Sequence, residues 1–215
     1  MKVVIAGGTG QVGRHLVKRL AEEGRHTPHV LARKQAQVEG FAGRGIPATL
    51  VSLEEPVTKL IEATQDADAI IFTAGSGGST GPDKTLLVDL DGAGKLIEAA
   101  QQNGIRRFVM LSALQAHNRE HWSDVLRPYY AAKHYADRLL VDSGLDFTIV
   151  RPGRLTDDDG SGHVHVATDL PEGGSIARAD VAHVIARCLD MPSAQHKAFD
   201  LISGDTPIDA ALQAL

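Results

Sequence analysis

MKVVIAGGTGQVG, residues 1–13, decides how this chain reads. Lys2 to Ala6 is a short, β-branched apolar run that ends in glycine, and Gln11 to Glu23 has helical spacing with Val12, Leu16, Val17 and Leu20 on one face. The order is strand, glycine turn, helix. Gly7, Gly10 and Gly13 punctuate the turn, where glycine permits a tight bend, close approach of a ligand to the main chain, and close packing of helix on strand. The first amides of such a helix lack partners within it and sit at the positive end of its dipole, which suits a diphosphate. The spacing Gly7-x-x-Gly10-x-x-Gly13 differs from the commoner G-x-G-x-x-G, so a tight turn without ligand is the alternative. Its place between a buried strand and an amphipathic helix favours a dinucleotide.

Gly24 stops the first helix, and His29 to Ala32 forms a second strand that ends at Arg33-Lys34. In dinucleotide folds an acidic residue at this point, about 20 residues past the last glycine, bonds the 2′-hydroxyl of NAD. A carboxylate would repel a 2′-phosphate, whereas the guanidinium of Arg33 can grip it with two charge-assisted bonds. NADP is therefore expected over NAD. A solvated basic pair is the alternative.

Further on, Ala48 to Val51 is a third strand candidate, Val57 to Thr64 a helix, and Asp66 to Phe72 a fourth strand running into the small residues Thr73 to Gly78. From Pro82 to Gln102 the chain reads as one helix with Leu86, Leu87, Leu90, Leu96, Ile97 and Ala100 apolar. Arg107 to Leu111 is a fifth strand, Ala113 to Arg127 an irregular polar stretch, and Pro128 to Asp142 a helix. Asp146 to Val150 is a sixth strand, followed by Arg151-Pro152-Gly153. Thr156 to Gly162 is a loop, His163 to Ala167 a short strand, Val181 to Leu189 a helix with Asp180 as N-cap, and Ala198 to Ile202 a last strand before a short helix. Strand and helix alternate, so the fold class is α/β, a doubly wound parallel sheet forming one domain over residues 1–215. Right-handed crossovers place the loops after the strands on one edge.

The 215 residues suffice for one core, and 43% hydrophobic with 23% charged is ordinary for a globular protein. A net charge of -5 gives no reason to expect nucleic acid or an anionic membrane as partner. The lone Cys188 excludes an intrachain disulfide and reads as a buried thiol. No apolar stretch approaches the roughly 18 to 20 residues of a membrane span, and the first residues read as a strand, not a signal peptide, so a cytoplasmic location is expected.

Three positions suggest chemistry: Ser112 after the fifth strand, Tyr129, and Lys133. Tyr129 and Lys133 are four apart and share a helix face. An ammonium stabilises a nearby phenolate, which would bring Tyr129 toward acid-base duty near neutral pH, with Ser112 holding the substrate oxygen. Taken alone, such a pair is common on amphipathic helices. No metal is expected: His117 and His121 have i, i+4 spacing but no third ligand, and lining a pocket with Trp122 suits them better. Asp157 to Asp159 reads as a solvated turn, and Arg151 and Arg154 as partners of an anionic substrate or of nearby carboxylates.

GGTGQVGR at Gly7–Arg14, LARK at Leu31–Lys34, TAGSGGSTGPDKTLLVDLDGAGKLIEAA at Thr73–Ala100, YYAAKHYAD at Tyr129–Asp137, TIVRPGRL at Thr148–Leu155 and IARADVAHVI at Ile176–Ile185 occur together and in order. In this the chain resembles the atypical, short members of the short-chain dehydrogenase/reductase superfamily, the NAD(P)-binding, NmrA-like group related to NAD-dependent epimerases and dehydratases, with a truncated substrate region. The resemblance implies a Rossmann fold, with the part from about residue 152 lining a small substrate pocket. It implies that Thr9, Gly10, Gln11 and Val12, between Gly7 and Gly13, cradle the pyrophosphate, with Arg33 and Lys34 at the 2′-phosphate. Leu53 would lie near the adenine, and Ala74, Gly75 and Ser76 beneath ribose and nicotinamide. Lys133 would bond the nicotinamide ribose, and Pro152 and Gly153, leading to Leu155, would lie against the carboxamide. Ser112 is followed by Ala113-Leu114 without a second hydroxyl, and Tyr130 adjoins Tyr129, both departures from the strongest enzyme patterns.

Three functions follow: an NADP-dependent reductase of a small carbonyl, quinone or related acceptor; a non-catalytic dinucleotide sensor; and a nucleotide-sugar epimerase or dehydratase. Dehydratases of the extended group carry acidic residues just after the fifth-strand hydroxyl, and Ala113-Leu114-Gln115 has none. The expected partner is a small-molecule substrate, with a homodimer contact to be sought on the Pro82 to Gln102 helix.

Overall fold

Every residue of β1 (Lys2–Ala6) after Lys2 is buried, and the alternation of its side chains divides the core in two. Val3 and Ile5 join α1 (Gln11–Glu23) and α7 (Arg178–Cys188) on one face of the sheet. Val4 and Ala6 join α3 (Val57–Thr64), α5 (Gly92–Gln102) and α6 (Arg127–Val141) on the other. The structure, a computed structural model, describes residues 1–78 and 80–215; Ser79, within the Thr73–Ala100 motif, lies outside the described residues.

Beside β1 run β2 (Thr27–Ala32), β3 (Ala48–Leu50), β4 (Ala69–Phe72), β5 (Arg107–Leu111), β6 (Asp146–Pro152) and β10 (Lys197–Ser203), all parallel to their neighbours in this part of the sheet. The order is β3-β2-β1-β4-β5-β6-β10, the doubly wound arrangement that was expected. It is not parallel throughout: β8 (His163–Ala167) pairs antiparallel with β10, and β11 (Thr206–Pro207) antiparallel with β8. A separate pair, β7 (Arg154–Thr156) and β9 (Ser175–Ala177), was invisible in sequence because each strand is three residues long. So was α2 (Gln35–Ala42), which buries only Phe41 and so has almost no apolar periodicity. The chain ends in α8 (Ile208–Gln213).

Two further expectations are corrected. Asp180 is not the N-cap of α7; Ala177 is, and Asp180 lies in the first turn. There it faces backward and accepts the amides of Ser161 and Gly162 at 2.8 and 2.9 Å, pinning the loop before β8, while a carboxylate near a helix N-terminus also suits the dipole. The Pro82–Gln102 segment is not one regular helix. After α4 (Pro82–Lys84), residues Thr85–Asp91 form a π-helical turn. Wider winding rotates the side chains out of a 3.6-residue pattern, so Leu86 and Leu87 are 55% and 40% exposed, and the residue turned inward is Asp89, at 0%. No helix of the described residues is long and apolar enough to cross a membrane.

The glycine turn is held by contact as well as conformation. Gly7 has φ +90°, and a Cβ there would lie 2.4 Å from Ala74 N; a Cβ on Gly13 would lie 2.1 Å from Gly7 O. The start of α1 thus sits against the turn, and the turn against the end of β4. Gly13→Ala is expected to cost about 1–3 kcal/mol of stability. It would be read as a lower urea midpoint at unchanged slope; an unshifted midpoint would mean that the turn opens freely.

Candidate active site

α1 starts at Gly10, which offers no side chain to cap it, so its first amides face outward uncapped. Gly10 and Gln11 are exposed, Gly10 N donates to Gly7 O at 2.9 Å, and Val12 and Gly13 are buried. Thr9 is half-buried, and its carbonyl accepts from Arg14 Nε at 3.0 Å. Arg33 and Lys34 project into solvent just beyond β2, and among the described residues neither has a carboxylate partner. Leu53 lies under α5, where a Cβ on Gly92 would come within 3.0 Å of its Cβ. Pro152 closes β6, and Gly153 N donates to Leu201 O at 2.9 Å. An uncapped helix start behind a glycine turn fits the diphosphate of an NAD(P) dinucleotide.

From the turn a continuous set of contacts leads to the residues with reactive side chains. Gly7 abuts Ala74, and two residues on, Ser76 N donates to Asp89 Oδ2 at 2.9 Å, with Gly75 packed on the same carboxylate. Asp89 Oδ1 lies 3.2 Å from Lys133 Nζ, both side chains being almost wholly buried. Lys133 Nζ donates to Leu111 O at 3.3 Å and stands 5.7 Å from the ring centroid of Tyr129, one turn earlier on α6. The carbonyl that receives Lys133 precedes Ser112.

The electrostatics differ from the sequence expectation. Lys133 does favour the phenolate of Tyr129, but burial outweighs it, and the charges of Asp89 and Asp137 add to burial, so the phenol is pushed up rather than down. Burial acts to lower the Lys133 ammonium, and Tyr129 and Asp89 more than offset that, leaving it raised and charged. Asp89 is the residue that sequence reasoning missed. It was visible only as one acidic position in LLVDLDG, and the π-helical turn that buries it has no sequence signal.

Ser112 faces a second buried ion pair. Arg151 Nε donates to Asp137 Oδ2 at 2.8 Å, so Arg151 is committed to an internal carboxylate and not to an anionic substrate. Burial raises the Asp137 carboxyl, while Arg151 and the nearby Ser112 hydroxyl favour its charged form. Ser112 Oγ and Asp137 Oδ1 nonetheless make no well-aligned hydrogen bond with each other or with any other described residue, which leaves the buried hydroxyl without a partner. Trp122 stacks on Tyr130 at 6.1 Å and meets His134 edge-on at 5.5 Å, forming an aromatic wall beside Tyr129. His121 Nδ1 bonds Gln115 Oε1 at 2.7 Å, and His117 lies 3.4 Å from Asp169. Asp157 pairs with Arg178 at 2.9 Å on the surface. Cys188 is buried far from this site, its thiol pushed up to about 12 by burial.

Comparison with known proteins supplies the context. The sequence profile of the NAD(P)H-binding family matches residues 7–192. The chain is 52% identical over 215 residues to the uncharacterized sugar epimerase YhfK of Bacillus subtilis (strain 168), with 100% of each chain covered. Among solved structures it is similar to a Bacillus halodurans protein provisionally named an NAD-dependent epimerase/dehydratase, at a TM-score of 0.94 and 39% identity with 100% of both chains covered. It is also similar to the oxidoreductase ylbE of Lactococcus lactis, at a TM-score of 0.91 and 33% identity over 100% of this chain and 96% of that one.

Proposed function

The chain belongs to the NAD(P)H-binding family, and from that premise we propose that it is an NADP-dependent oxidoreductase acting on a small carbonyl, quinone or related acceptor. The observation that carries the reading is the buried Asp89–Lys133 pair with the half-buried Tyr129 one turn away, beside Ser112. NADPH, held at the glycine turn, would supply the hydride that reduces the acceptor. Ser112 Oγ holds the acceptor oxygen, and Tyr129 gives that oxygen its proton, which solvent then replaces. Lys133, fixed by Asp89 and Leu111 O, keeps a positive charge beside the phenol as it becomes anionic. The raised phenol suits this direction, because it stays protonated through neutral pH. The rate of reduction is therefore expected to stay level until the pH approaches or passes the ordinary phenol range of about 10. Asp89→Asn, which removes a charge that raises the phenol, should move this basic limb to lower pH.

The test is NADPH oxidation against a panel of aldehydes, ketones and quinones. Turnover supports the reading; none on folded, NADPH-bound protein favours a sensor. A second reading rests on the sugar epimerase name of the Bacillus subtilis relative. There the same pair would serve an oxidation, with NADP⁺ taking up the hydride, and a return reduction that gives it back, so epimerisation at one substrate centre with no net absorbance change at the nicotinamide band distinguishes it.

Arg33 and Lys34 support NADP over NAD. Arg33→Asp should weaken NADPH by about 10–100-fold, the worth of a charge-assisted bond, and leave NADH within about threefold. Calorimetric titration of both reads this, and equal losses would remove Arg33 from the 2′-phosphate site.

A further inference from the structure

Asp200 and His117 are brought together far from one another in sequence, on the same sheet edge as Ser112 but outside the proton-transfer set. Asp200 lies on β10 opposite Arg151 of β6 and is 0% exposed. One of its oxygens is fully engaged: Oδ2 accepts from Gln115 Nε2 at 2.8 Å and from Leu170 N at 3.0 Å. The other, Oδ1, has no hydrogen-bond partner among the described residues and faces His117 Nδ1, 3.9 Å away, which is likewise buried and unpartnered. Asp169, on the exposed side, completes the group, with its Oδ1 3.4 Å from His117 Nε2. His117, Asp169 and Asp200 each present one ligand atom, and the three atoms lie within 4.8 Å of one another.

We propose that His117, Asp169 and Asp200 form a binding site for a first-row divalent cation. One imidazole nitrogen and two carboxylate oxygens are hard-to-borderline donors suited to ions such as Zn²⁺, Mn²⁺ or Co²⁺, and three protein ligands leave further positions to water. The donors are held from behind, as ligands of metal sites commonly are. Gln115 Nε2 bonds both Asp169 Oδ1, at 2.6 Å, and Asp200 Oδ2, while its Oε1 is fixed by His121. Gln115 does this from a left-handed backbone, φ +60°, a conformation that a residue other than glycine adopts only when its surroundings impose it. His117 is thus joined not by His121, which holds Gln115, but by two ligands from the chain some 50 and 80 residues further on, which no local pattern reveals.

The experiment is titration of the full, untagged, metal-stripped chain with Co²⁺, read by its visible d–d absorption, and with Zn²⁺ by calorimetry. One saturable equivalent is expected, with Asp169→Asn and His117→Ala each weakening binding by about 10–100-fold or more. Both positions are partly or wholly exposed, so these variants keep the fold, which far-ultraviolet circular dichroism checks. Absence of a saturable equivalent overturns the proposal. An equivalent retained at full affinity in both variants also overturns it, by placing the ion elsewhere.

Discussion

Tyr129→Phe lowers the rate of NADPH-dependent reduction by about 10²–10⁴-fold, the usual worth of a positioned general acid, and leaves dinucleotide affinity within about twofold. Its ring is kept in place by contacts that phenylalanine reproduces: Lys133 Nζ at 5.7 Å and the edge of Tyr130 at 5.8 Å between centroids. Only the hydroxyl is lost. The effect should therefore fall on kcat, with KM little changed. Stopped-flow reduction with pre-bound NADPH measures it. An unchanged rate would make Tyr129 a packing residue, and Ser112 or a water would have to supply the proton.

Lys133→Met acts on stability as well as rate. It leaves Asp89 buried with no cation, and breaking one side of a buried pair costs about 3–5 kcal/mol. The double variant Asp89→Asn/Lys133→Met removes the orphaned charge and can still accept the Ser76 amide, so most of that stability should return. Activity should not, because the phenolate then has no neighbouring ammonium. Denaturant titration beside the rate assay separates the two roles. Recovery of both in the double variant would show that Lys133 serves the fold alone.

Much of this molecule could be read from local pattern, and the limits of that reading have a common cause. β1, β4 and β5 are apolar on both faces and could be recognised because strands in the centre of a parallel sheet are buried on both sides. α2, β7 and β9 could not, since each buries too little to leave a period. At the site, the four-residue spacing correctly places Tyr129 and Lys133 together on α6. The partners that set their charges come from elsewhere. Asp89 is turned inward by a π-helical turn, and Asp137 on α6 meets Arg151 of β6. The phenol is consequently raised where the pair alone suggested that it would fall. Periodicity tells which face a residue lies on, not what meets it there. The exposed Leu86 and Leu87 illustrate the same limit, since periodicity counted them with the apolar face.

The most direct test of the account is calorimetric titration of the purified, nucleotide-free protein with NADPH and NADH in parallel. Tight NADPH binding, with NADH weaker by at least about tenfold, is the expected result, since the 2′-phosphate adds a charge-assisted bond worth about 1.5–3 kcal/mol. Binding of neither to folded protein would contradict it, and the glycine turn would then be a packing device and Tyr129 and Lys133 a structural pair.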